Sequence, residues 1–173
     1  MANNSQKFML DISSFVDKTN TSMTTTKKDV AREVFRRIIQ RTPIWRLDDN
    51  PGSTKGNWTA SNGRPSFGEL KRMDPSGEIT IAAMASVIGR VVPDKSVFLS
   101  NSSPHIFVLE EGKYPIGGQG SWNATTDTYE KRSTEGWSNQ LLGFGPAGMV
   151  KVTVSEFEEI VNQVARKFKV RMS

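Results

Sequence analysis

Between Pro146 and Phe168 the chain places Val150, Val154, Phe157, Val161, Val164 and Phe168 at alternating steps of four and three. That spacing lines one face of a helix. Pro146 suits a first helical turn, where its missing N–H leaves nothing unpaired. Glu156, Glu158 and Glu159 stand near the start and Arg166, Lys167 and Lys169 near the end, an order that complements the helix dipole. The pattern predicts a C-terminal helix about 30 Å long for about twenty residues, with its valine and phenylalanine face on a sheet.

Upstream, residues 1–10 read as a mobile or partner-ordered end, and Asp11 to Thr19 as a short helix with Phe15 and Val16 buried. Thr24-Thr25-Thr26 offers N-cap hydroxyls for a second helix, whose apolar face is Val30, Val34, Phe35, Ile38 and Ile39. Glu33 stands four residues before Arg37, a supportive pair, and Thr42-Pro43 stops the helix. Ile44 to Asn57 is irregular. Trp58 to Ser61 reads as a short strand, followed by the turn dipeptide Asn62-Gly63. Asp74-Pro75 reads as an N-cap and first helical position. Ile79, Ala83 and Val87 then predict a helix over 75–89, with a strand as the competing reading. Val97-Phe98-Leu99 is a strand core, and His105 to Glu111 a short helix ending at Gly112.

Over residues 113–145 apolar periodicity fades and Gly, Ser, Thr and Asn become frequent, yet Tyr114, Trp122, Tyr129, Trp137 and Phe144 are spread through the segment. A disordered linker is poor in aromatics, and a structureless loop this long is uncommon in a compact domain. The segment reads as a projecting arm with a hairpin around Trp122–Glu130. The competing reading is a large loop folded back on its own domain.

Composition narrows the chemistry. A chain of 173 residues suits one domain with arms. It has no cysteine, which excludes disulfides and thiolate metal sites. The single histidine, His105, leaves no material for a histidine metal cluster. No apolar run is long enough for a membrane span, and the N-terminus lacks a signal-peptide core. The expectation is a soluble protein made in the cytoplasm, without cofactor or metal. The net charge of +5 comes from dispersed residues, 23 basic against 18 acidic. That permits nucleic acid without demanding it.

Candidate chemistry is thin. Gly52 to Gly56 has phosphate-loop ingredients in the wrong order, with no strand before and no Gly-Lys-Ser/Thr opening a helix. Gly117-Gly118-Gln119-Gly120 is too short for a dinucleotide fingerprint. Asp94, Glu111 and Lys113 fit the loose pattern of magnesium-dependent nucleases, in which two carboxylates hold the metal and a lysine assists. Their context is poor, because Gly112 is expected to end a helix where a strand is required. The pairs Asp48-Asp49, Glu110-Glu111 and Glu158-Glu159 are sequence neighbours, which do not share a helix face. No catalytic residue is assigned.

Four segments together resemble the neck or minor-tail-component (tail-completion) proteins of long-tailed bacteriophages. They are Arg41-Thr42-Pro43 with Gly56-Asn57-Trp58; Val97 to Asn101 leading through Pro104 to Leu109-Glu110; Gly136-Trp137-Ser138-Asn139-Gln140; and Pro146-Ala147-Gly148-Met149-Val150 continuing to Phe157. Two departures stand out. A longer Ile44–Lys55 segment replaces a short turn, and Leu141 to Gly145 separates Gln140 from Pro146. The resemblance implies a single α+β domain over residues 11–173, with a mixed or antiparallel sheet carrying two long helices, N-terminal and C-terminal. It implies a structural role at the head–tail junction of a virion, assembled in the host cytoplasm. The partners implied are copies of itself in a ring, with a hexamer as the expected order, and neighbouring neck, connector and tail-tube proteins. Genome DNA is met only in passing, and no membrane is involved. Tyr114, Trp122, Tyr129 and Trp137 are the expected subunit-interface residues. The alternative is a magnesium-dependent nuclease or another nucleic-acid-processing protein.

Overall fold

The computed structural model describes residues 2–44, 51–104, 106–110, 121–123, 128–130 and 148–172. Where the pattern predicts a mobile end and two helices, the chain forms one helix, α1, from Ala2 to Arg41. Thr24, Thr25 and Thr26 cap nothing. Each hydroxyl donates to the carbonyl four residues back, on Asn20, Thr21 and Ser22, at 2.8 to 2.9 Å. Hydroxyls satisfied in this way leave the helix ladder unbroken. Phe15 and Val16, expected to be buried, are exposed. The helix stops before Thr42, as Thr42-Pro43 predicts.

A one-turn helix, α2 (Ser53–Gly56), leads into strand β1 (Trp58–Asn62), which pairs antiparallel with β2 (Val97–Asn101). The register sets Trp58 opposite Asn101 and Asn62 opposite Val97. Trp58 and Ala60 alternate inward. Between the strands lies α3 (Glu78–Gly89). Its buried residues are Thr80, Met84 and Ile88, one position on from the expected Ile79, Ala83 and Val87, and Ile79 is exposed. Asp74 sets this frame. Its carboxylate accepts from the Gly77 and Thr80 N–H groups at 2.9 and 2.8 Å, so the helix starts later than Pro75 and is rotated by one residue, about 100°.

After β2 come α4 (Ile106–Glu110) and an antiparallel pair, β3 (Ser121–Asn123) with β4 (Thr128–Glu130). The pair falls within the hairpin expected around Trp122–Glu130. The expected single C-terminal helix is two: α5 (Met149–Ser155) and α6 (Phe157–Met172), meeting at Glu156. The buried ridge is Met149, Thr153, Ile160 and Val164, whereas Val154 and Phe157 of the expected stripe are 61% and 50% exposed. Thr153 of the ridge and Glu156 at the junction turn toward α1 because it presents Arg41 and Arg37 to them.

The described residues are α+β and mostly helical, with two small antiparallel sheets of two strands each. β1 packs on α3, α3 on α1, and α1 on α5 and α6. Ile38 and Ile39 of α1 meet Trp58, Ala60, Met84, Ile88, Val91, Leu109 and Met149 in one buried cluster.

Candidate functional site

Most of the described residues that carry the resemblance act as ties between elements. Thr42, 1% exposed, accepts a 2.7 Å hydrogen bond from Trp58 Nε1 and donates to Ile38 O at 2.9 Å. The end of α1 is thereby fixed to the start of β1. Asn57 is buried and accepts from Leu70 N at 2.6 Å. Arg72 donates to Gly56 O at 2.9 Å and to Trp58 O at 3.0 Å. Gly56 packs so closely on this strap that a Cβ would lie 2.0 Å from Arg72 O. Asn101 donates to Thr54 O and accepts from Ser103 N, both at 2.9 Å. Leu109 is in the core, Pro43 is half-buried and Pro104 is exposed.

Glu110 closes the last tie. Its carboxylate accepts from Val150 N at 2.9 Å and Lys151 N at 2.8 Å, two first-turn donors of α5 that lack intrahelical partners. Gly148 stands at φ 69°, and a Cβ there would meet Glu110 O at 2.2 Å. Glu110 and Gly148, which flank residues 111–147, are thus in contact.

A charged hub joins the first and last helices. Arg37 donates to Glu33 at 2.9 Å, to Glu156 at 2.7 Å and to Gln163 at 3.0 Å. Arg41 donates to Glu156 at 2.6 Å and to Thr153 Oγ1 at 2.8 Å. Arg36 grips Glu33 from the other side at 2.7 and 3.0 Å. The Arg36 hydrogen bonds, with those of Arg37, outweigh burial and hold the Glu33 carboxyl at a pKa of about 2. Arg41 and Arg37 hold Glu156 below the usual carboxylate range. Beside the hub, a cleft of about 360 Å³ is lined by Asp29, Arg32, Glu33, Arg36, Gln163 and Lys167 over an apolar floor. Arg32 is bound to Asp29 at 2.8 Å. The cleft holds paired charges, with no nucleophile set beside a base.

Beneath α3, Lys55 is 6% exposed and its ammonium reaches Gln40 O at 3.4 Å. Burial pushes its pKa down, against the pull of Asp74. Burial tends to raise the pKa of Asp74, but hydrogen bonds from Thr80, Ser76 and Gly77 prevail and hold it low.

Of the nuclease-like triplet, Asp94 lies exposed before β2, 3.8 Å from Lys95. Glu111 and Lys113 fall outside the described residues, as do Tyr114, Gly136, Trp137, Ser138, Gln140 and Pro146. Trp122 and Tyr129 are paired backbone positions in the β3–β4 register. Among the described residues no group of three or more His, Cys, Asp or Glu is arranged to hold a metal. No described helix is long and apolar enough to cross a membrane.

Sequence periodicity missed the exposed apolar residues of α1: Phe8, Met9, Leu10, Ile12, Phe15, Val16 and Met23. Their spacing was visible, but the Thr- and Asn-rich stretch after them hid the continuity of the helix. Comparison with protein families, with characterised proteins and with solved structures finds no match to this chain.

Proposed function

We propose that the chain is a virion structural protein of the head–tail junction of a long-tailed bacteriophage. In this reading it forms a ring of identical subunits, a hexamer in its expected form, that completes or caps the tail and helps join it to the head. A closed ring gives every copy the same contacts without growing into a filament. The observation that carries the reading is the placement of Thr42, Asn57, Trp58, Asn101, Glu110 and Gly148. These residues, which carry the resemblance, tie helix to strand and loop to helix rather than lining a catalytic cleft.

The finer architecture belongs to the same reading. Residues 113–145 form an aromatic-bearing arm, and Tyr114, Trp122, Tyr129 and Trp137 contact neighbouring subunits or neck proteins. Aromatics concentrate binding energy at interfaces. The exposed Val154 and Phe157 on α5 and α6 offer a further contact face. DNA passing through the ring is touched weakly and without sequence preference.

Electron microscopy of virions tests this reading, with a ring of this protein expected at the head–tail junction. Replacing residues 113–140 by a short Gly/Ser linker should leave a folded domain that no longer forms rings, since Glu110 and Gly148 still meet. Incubation with duplex DNA and magnesium should leave the DNA intact. Cleavage that disappears in Asp94→Ala would replace the structural role by the nuclease alternative.

A further inference from the structure

Among the described residues, the first half of α1 has no packing partner within its own chain. All residues from Gln6 to Thr21 are exposed, while Lys27 and Lys28 mark the root by bonding to the α3 end and the loop beyond it. The projecting part is about 30 Å long for about twenty residues. It is rich in Asn, Ser and Thr, poor helix formers, and isolated helices of this length are marginal in water. A packed partner is what such a segment needs.

Its pattern identifies the partner. Phe8, Ile12, Phe15, Thr19 and Ser22 occupy successive core positions of a heptad, with steps of four, three, four and three. Met9, Val16 and Met23 recur every seven residues on one flank, and Asp11 and Lys18, seven apart, on the other. The Thr19 hydroxyl is satisfied by Phe15 O at 2.9 Å, so that position offers its methyl group.

We propose that this segment pairs antiparallel with the same segment of a second copy. With Ile12 against Phe15 of the second copy, Phe8 meets Thr19, Met9 lies beside Val16, and Asp11 lies beside Lys18, each contact occurring twice about a two-fold axis. A parallel pair would set Asp11 and Lys18 beside Val16 and Met23 and form no ion pair. Five apolar side chains per arm, each roughly 150–200 Å² and half to two-thirds exposed, offer on the order of 1,000 Å² for the pair, the size a specific interface needs. The pairing stands apart from the neck reading. In a cyclic ring all arms point the same way, so the paired arms belong to the protein before a ring forms.

Sedimentation of the full chain at micromolar concentration tests the proposal. Wild type should be a dimer, and Ile12→Asp a monomer with unchanged thermal unfolding of the body. Asp11→Lys and Lys18→Asp should each weaken the dimer about tenfold, as two ion pairs become two repulsions. The double variant Asp11→Lys/Lys18→Asp should recover to within about threefold of wild type, because the pairs are restored in reverse. A monomeric wild type would overturn the proposal, whether or not it binds lipid vesicles. So would an oligomer that survives Ile12→Asp, or one lost in Ile12→Asp yet indifferent to the charge changes, which would mean a parallel bundle.

Discussion

Trp58 Nε1 donates to Thr42 Oγ1 at 2.7 Å, and both residues are buried. The contact fixes where α1 ends and where β1 begins, and Thr42 relays it to the last turn of the helix. Thr42→Val keeps the shape but leaves the Trp58 N–H buried and unpaired, which should cost about 1–3 kcal/mol. Trp58→Phe combined with Thr42→Val should cost less than the two single changes summed, because no donor is then stranded. Urea unfolding followed by far-ultraviolet circular dichroism measures both.

Ile160 is fully buried whereas Phe157, three residues earlier, is half exposed. Ile160→Ala should lower stability by about 2–5 kcal/mol. Phe157→Ala should change it by roughly 0.5 kcal/mol or less, as surface positions do. Equal losses at the two positions in chemical denaturation would mean that α6 is rotated from the orientation described.

Glu33, Glu156 and Asp74 all have folded-state pKa values below their ordinary ones. Each contributes stability that is fully present above the unfolded carboxylate pKa, about 4, and is lost as pH falls through the folded value. For Glu33 that loss runs down to about 2. Stability should therefore be level near neutrality and fall steeply below about pH 4.5. Glu156→Gln should lower the neutral-pH plateau and flatten the acid slope, as read from melting temperatures across pH.

Gly148→Ala should be severely destabilising, because the added carbon meets Glu110 O at 2.2 Å in a left-handed backbone. Gly89→Ala, with nothing within 4 Å at the end of α3, should be neutral or stabilising by up to about 1 kcal/mol. Calorimetric melting of the two variants should separate them clearly.

The strands were legible from Trp58 to Ser61 and Val97 to Leu99, where β-branched and aromatic residues alternate or cluster between turn signals. The stop at Thr42-Pro43 was legible for steric reasons. Helix existence was legible too, but the buried face was not. Along α5 and its junction with α6, Thr153 and Glu156 turn inward because Arg41 and Arg37 stand opposite, and a charge satisfied across 119 and 115 residues of sequence leaves no trace in local periodicity. In α3 the frame is set by the Asp74 carboxylate and not by the isoleucines. The threonines of α1 read as caps because their hydroxyls can serve that role. Only the path of the backbone shows that they turn back on their own helix. Of the candidate site, the tying residues stood out as motifs, but that Thr42 meets Trp58 and Glu110 meets Gly148 is a product of tertiary packing.

The hub between α1 and α6 also sets a clock on the newborn chain. Synthesis at roughly 5–20 residues per second leaves α1 waiting on the order of 6–24 s after Arg37 is made before Glu156 exists. During that interval the domain cannot close, since its first helix lacks its last. The heptad-bearing segment, by contrast, precedes Arg37 and is complete before that wait begins. Adjacent ribosomes on one message therefore present the segment that joins two copies well before the segment that finishes either one.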